Sequence, residues 1–172
     1  SIALLAAEAH PDRVAGVVTY ATIPALAAPD YPHAPSAAQA STLATVVNDL
    51  LDVDQVLPVW APSRADDRAF AQWFTRYMRM GAGVGGAAEI VRRLLDSDIR
   101  AALPRVSVPT LVLHRIGDRA VDVANARYLA KAIPMARLEL LDGDDTVLWA
   151  GDVDAIAAAI AAWLPTAVGR AG

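Results

Sequence analysis

The chain has 172 residues, a length that suits one domain with its own core. Apolar residues make up 55% and charged residues 20%, which excludes a disordered chain, and no apolar run reaches the length of a bilayer span. A net charge of −4 gives no electrostatic basis for binding nucleic acid or an anionic membrane, and the absence of cysteine removes disulfides, thiolate metal sites and cysteine nucleophiles.

The opening stretch Ser1-Ile2-Ala3-Leu4-Leu5-Ala6-Ala7-Glu8-Ala9 is rich in helix formers and lacks the basic start and cleavage pattern of a signal peptide, so a cytoplasmic location is expected. With no initiator Met it reads as a helix whose beginning lies upstream, and the chain is expected to be a fragment. Pro11 stops this helix. Val14 to Tyr20 is a short β-branched run, the pattern of a strand buried on both faces. Residues 24–36 carry four prolines without period and predict a loop ordered by packing. Leu43 to Leu57 gives a weak helical pattern broken at Pro58. Ser63 to Asp67 supplies N-cap candidates for a stronger helix, with Phe70, Trp73, Phe74, Tyr77 and Met78 on one broad apolar face. Gly81 to Gly86 ends that helix, Ala87 to Leu95 predicts another, and Asp98 to Leu103 a short one.

Beyond Pro104 and Pro109, Thr110 to His114 predicts a second buried strand closed by Gly117-Asp118. Val123 to Ile133 follows as a helix, and Ala136 to Leu141 as a third strand ended by Asp142-Gly143-Asp144-Asp145. Asp152 caps a last helix with Val153, Ile156, Ile160, Trp163 and Leu164 on one face and Pro165 beyond its end. Stripped of the middle, the order αβ–(helical insert)–βαβα predicts an α/β fold with a parallel sheet of three strands and helices on both faces. The insert is expected over the C-terminal edge of the sheet, where open α/β sheets place their sites.

Three stretches carry a family resemblance. His10-Pro11-Asp12-Arg13-Val14 leading into a strand resembles the segment after the nucleophile elbow of α/β-hydrolases. Val108 to Asp118 resembles their penultimate strand and acid-bearing turn, and Ala126 to Ala130 followed by Ile133 to Leu138 resembles the next helix and last strand. Together with the Trp60-Ala61-Pro62-Ser63 region, the pattern is most similar to bacterial hydrolase-fold domains that stand N-terminal to class III adenylate cyclases. The resemblance implies the C-terminal part of one α/β-hydrolase domain. Residues 1–23 are then the helix and strand after the elbow, 24–105 a helical cap, and 106–172 the last two strands with their helices.

Hydrolysis on this fold needs a serine on a strained turn, a histidine to take its proton, and an acid to hold that histidine. The resemblance places Asp118 at the acid position, whereas the residue types alone also allow a turn aspartate that binds backbone amides. It places Thr146, in Gly143-Asp144-Asp145-Thr146, where the family carries its histidine, and a threonine hydroxyl cannot serve as a general base near neutral pH. The nucleophile would precede residue 1, and no Gly-x-Ser-x-Gly pattern occurs in the chain. His10 and His33 fall in loops, and His114 reads as a packed structural histidine within the strand.

Gly81 to Gly86 follows a helix and lacks a lysine, so it does not read as a phosphate loop. Asp142, Asp144 and Asp145 read as a solvated loop and not as a metal site, and no cofactor is expected. Trp73, Phe74 and Tyr77 read as core of the helical insert or as part of an acyl or aryl pocket. The expected function is that of a hydrolase-family domain of esterase, lipase or epoxide-hydrolase ancestry without hydrolytic activity. The alternative is a ligand-sensing or regulatory module beside a nucleotide cyclase domain. A small hydrophobic ligand or ester, a missing N-terminal half and a fused cyclase domain are the expected partners. A bare edge at Val14–Tyr20 is also expected to drive self-association.

Overall fold

A computed structural model describes residues 1–35, 53–81, 89 and 93–169. Helix α1 (Ile2–Ala9) stops ahead of Pro11, and Pro11–Arg13 makes a single 3-10 turn. Strand β1 (Val17–Tyr20) is shorter than the run of apolar residues, because pairing begins where β2 (Thr110–Arg115) begins, just after Pro109. Strand β3 (Ala136–Leu141) has the expected bounds. The three strands form one parallel sheet in the order β1-β2-β3, with Val17 beside Thr110 and Thr110 beside Ala136.

The register sorts the side chains into two faces, since successive residues of a strand point to opposite sides. Val17 and Val112 face α1 and α4 (Ala124–Ala132), where Leu4, Ala7, Ala126, Leu129 and Ile133 complete one core. Leu111 and Leu113 face the last helix, α5 (Val153–Val168), and bury Ile156, Trp163 and Ala167. Gly16 sits where a Cβ would stand 2.8 Å from the Trp163 ring, so a larger residue there would push α5 off the sheet. Every residue of β2 is buried, as a central strand covered on both faces requires.

Between β1 and β2 lie α2 (Val53–Trp60) and α3 (Arg68–Gly81). Asp67 caps α3, its carboxylate accepting from the Phe70 amide at 2.9 Å. A third core joins Val56, Leu57 and Ala61 to Phe70 and Phe74 and to Val147 and Ala150 of the loop after β3, so both helices rest on that loop.

Four local expectations are corrected. Pro58 lies inside α2 and Pro165 inside α5, where breaks were expected. Past each proline a buried alanine keeps the chain packed, Ala61 just beyond the end of α2, where its amide still bonds the Leu57 carbonyl, and Ala167 within α5, and such burial offsets a lost hydrogen bond. Residues 98–103 are not a helix. Asp98 instead pairs with Ala25 in an isolated bridge, its carboxylate accepts the Arg100 amide at 3.0 Å, and Leu103–Arg105 forms a 3-10 turn. The loop carrying Asp145 is not solvated throughout, since that side chain is buried. Most of the Leu43–Leu57 and Ala87–Leu95 stretches, and the glycine-rich stretch past Gly81, lie outside the described residues. No helix among the described residues is long and apolar enough to cross a membrane.

Candidate functional site

The ends of all three strands, with α2 above them, enclose a cavity of about 410 Å³. Ala21, Thr22 and Ile23 come from the end of β1, Ala120 and Val121 from the end of β2, and Thr146 and Val147 from the loop after β3. Val59 and Trp60 close it from α2, and Ser1, Leu26, Pro35, Leu94 and Ser97 complete the wall. Among the described residues no charged side chain lines it, and its polar side chains are the hydroxyls of Ser1, Thr22, Ser97 and Thr146 together with the Trp60 indole. Ala21 adopts φ 44° on this wall, a left-handed conformation that side-chain-bearing residues seldom hold without compensation.

Asp118 stands behind Thr146, off the cavity wall. Its Oδ1 accepts from the Ala120 amide at 2.9 Å, the Val121 amide at 3.0 Å and the Thr146 hydroxyl at 2.5 Å. The structure therefore brings together the residues that the resemblance matches to the family's acid and histidine positions, and it also gives Asp118 the amide contacts of a turn aspartate. Asp118 Oδ2 is buried without a hydrogen-bond partner among the described residues.

The histidines are placed elsewhere. His114 is fully buried, with Nε2 2.9 Å from the Val121 carbonyl and Nδ1 unpartnered. Burial holds its pKa below the usual value, with Asp118 and Asp122 acting in the opposite direction. The His33 ring packs edge-on against Tyr31 and Tyr128, and His10 follows α1. None of the three lines the cavity.

Thr146 is held from both sides. Its amide and that of Val147 donate to the Trp60 carbonyl at 2.9 and 3.0 Å, fastening the loop to α2. Beneath it, Arg115 is 1% exposed and donates to the carbonyls of Asp145, Val147, Ala150 and Asp152 at 2.6–3.4 Å. The Asp145 carboxylate, also 1% exposed, lies 3.8 Å from Arg115 and accepts the Ser63 amide at 3.0 Å. Tyr20 donates to the Asp145 carbonyl at 3.0 Å, and burial pushes its phenol up to about 12, which keeps it a donor. Gly151 has φ +64°, and a Cβ there would run into the Asp145 carboxylate.

Arg115 and Gly151 carry no role in the sequence reading, and Asp145 enters it only as part of a solvated loop. The available signal was an arginine at the end of a buried strand, which has to find acceptors if it is buried too. Of the three acidic residues in the loop, Asp144 pairs with Arg119 at 2.7 Å near the surface, and no group of side chains among the described residues could hold a metal ion.

Trp73 and Tyr77 do not line the cavity. They flank a separate open groove with Arg64, Phe70 and Trp149, while Phe74 is buried in the core beneath.

No family model matches the sequence. Among solved structures the chain is similar to an enol-lactonase from Burkholderia xenovorans, with TM-score 0.75 and 22% identity over 94% of this chain and 60% of that one. It is similar to an esterase from Exiguobacterium antarcticum, with TM-score 0.77 and 16% identity over 94% of this chain and 62% of that one. A third is an α/β-hydrolase from a Medee basin deep-sea metagenome, with TM-score 0.72 and 14% identity over 93% of this chain and 60% of that one. At such identities the likeness establishes fold alone, and the fold is that of a partial α/β-hydrolase domain. The chain spans about 60% of the length of these structures.

Proposed function

We propose that the cavity at the strand ends binds a small, uncharged, mainly apolar molecule of ester or lactone type and does not hydrolyse it. The observation that carries this reading is the 2.5 Å hydrogen bond from the Thr146 hydroxyl to Asp118. In the resemblance, an imidazole held by the acid would take a nucleophile's proton. Here the acid holds a hydroxyl that has no basicity near neutral pH, and His114 Nε2 is engaged by the Val121 carbonyl. The wall supports the ligand class, since apolar side chains with a few hydroxyl donors fit a molecule with one or two carbonyl oxygens and no charge. On this reading α2, through Val59 and Trp60, is part of a cap over the ligand. A domain that binds without turnover is suited to ligand sensing.

Phenyl acetate and p-nitrophenyl acetate test both halves of the reading. Binding is expected to change the fluorescence of Trp60, with Trp60→Phe as control, while p-nitrophenol release stays at the buffer rate. Release above buffer that Asp118→Asn abolishes would overturn the absence of hydrolysis. Saturable signal that survives Trp60→Phe, or none at all, would overturn the assignment of the cavity.

A further inference from the structure

We propose that a second site, formed by α3 and the loop after β3, binds flat aromatic carboxylates. Its floor is a set of stacked rings. Trp73 and Tyr77, one turn apart on α3, lie with centroids 5.4 Å apart and planes 18° from parallel. Trp149 stands edge-on to both, at 6.2 and 5.3 Å. These three rings leave 40%, 45% and 41% of their surface exposed, whereas Phe70 and Phe74 of the same helix are buried. Helical spacing explains the stripe but not its exposed half, since a residue needed only for packing would turn inward. The space beside the rings comprises an open groove of about 420 Å³ lined by Arg64, Phe70, Trp73, Tyr77 and Trp149. A further hollow of about 310 Å³ lies against Trp73, Arg76, Tyr77 and Met80. Both sizes fall within the roughly 300–1,000 Å³ of small-molecule clefts.

The ligand class follows from the polar groups. Those in reach are guanidinium groups, indole N–H groups and the Tyr77 hydroxyl, almost all of them donors, and among the described residues no carboxylate lines either part of the groove. A sugar would need acceptors as well as donors, and a cation would meet two arginines. Arg64 is half-compensated, bonded to Asp67 at 2.7 Å with its guanidinium 5.0 Å from the Phe70 centroid. Arg76 is exposed and makes no ion pair among the described residues. A flat apolar body stacked on Trp73 with a carboxylate turned toward Arg76 satisfies both the rings and the charge. The groove shares no wall residue with the cavity at the strand ends. Trp149 belongs to the same Arg115-fastened loop as Thr146, so an occupant touches the segment that closes the first site.

The test uses the whole chain with cinnamate, and with cinnamyl alcohol as the uncharged partner. The four tryptophans give four indole N–H signals in a proton–nitrogen NMR spectrum, assigned by single Trp→Phe replacement. Cinnamate is expected to shift the signals of Trp73 and Trp149 and to leave those of Trp60 and buried Trp163 in place. Calorimetry should show Arg76→Ala weakening cinnamate about twofold to fivefold, the range open to an exposed charge pair, and Arg76→Glu weakening it further. Cinnamyl alcohol should be unaffected by either change. Shifts confined to Trp60, equal loss of the alcohol and the acid, or insensitivity to Arg76 would each overturn the site. So would shifts of Trp73 and Trp149 on dilution alone, which would mean that a second copy of the chain covers the groove. The Trp60 control keeps failure here distinct from failure of the proposed function.

Discussion

Replacing Arg115 with methionine removes the side chain that donates four of the bonds fastening the loop that carries Thr146. Methionine has a similar reach and no donors, so the four carbonyls of Asp145, Val147, Ala150 and Asp152 lose their shared partner together. Asp145, 1% exposed, also loses its nearby positive charge and keeps the Ser63 amide. Breaking a buried charge pair from one side costs about 3–5 kcal/mol, and each carbonyl left dry would cost about 1–3 kcal/mol more. Those carbonyl costs would exceed what opening the loop to water costs, so the loop should open. The net loss is then about 3–5 kcal/mol, a large share of the roughly 5–15 kcal/mol that holds a domain folded. Urea unfolding measures the loss. Hydrogen exchange at the Thr146 and Val147 amides, which donate to the Trp60 carbonyl, should report the opened loop. Asp145→Asn keeps an acceptor for Ser63 but no charge, so the double variant should be less destabilised than the sum of the two single ones by about 1 kcal/mol or more. A loss below about 1 kcal/mol for Arg115→Met, with exchange unchanged, would refute the view that this arginine holds the site together.

Three further outcomes are expected. Thr146→Val should cost about 1.5–3 kcal/mol, the worth of a hydrogen bond to a charged acceptor, and Thr146→Ser much less; equal losses in thermal unfolding would show that the hydroxyl bond is not what matters. The lowered pKa of buried His114 makes the unfolded chain take up its proton first on acidification, from a usual value of 6.5. Stability from this group is therefore whole above about pH 6.5 and falls as pH drops toward the folded pKa, and His114→Gln should flatten that part of the profile of urea midpoints. Among the described residues β1 pairs on one side alone, and Ile2, Leu5 and Val18 are exposed nearby. The chain should self-associate, and Val18→Lys should shift its sedimentation toward the monomer; a wild-type chain monomeric at every concentration would contradict this.

The elements whose signal is local were legible. Ala136–Leu141 was read to the residue, and Asp152 caps α5 through its bond to the Ala155 amide. Pro58 and Pro165 misled because helix propensity weighs a proline alone, whereas the buried residues past it belong to tertiary packing. The pairing of Asp118 with Thr146 was legible only through a family pattern, since 28 positions separate them and no periodicity joins the end of one strand to the loop after the next. The same distance in sequence hid Arg115. Its partners lie 30 to 37 residues away and are mostly backbone carbonyls, which leave no mark on composition. Of the aromatic stripe, Phe74 is core, whereas Trp73 and Tyr77 are half-exposed. Which of its rings would be exposed depended on where the loop bearing Trp149 came to rest.

Asp118 shows why an acid at this position is weak evidence for catalysis. The two amide bonds at its Oδ1 close the turn after β2, and neither needs an imidazole nearby. The third, from Thr146, ties the end of β2 to the loop after β3. Removing the carboxylate would strip partners from two turn amides and one hydroxyl whether or not the chain ever cleaved an ester, so stability alone is reason to keep it. The group that separates hydrolysis from binding is the one the acid would orient. A hydroxyl there keeps the structural tie without supplying a base, so on the proposed reading the turn, the loop and the cavity need no hydrolysis to persist together.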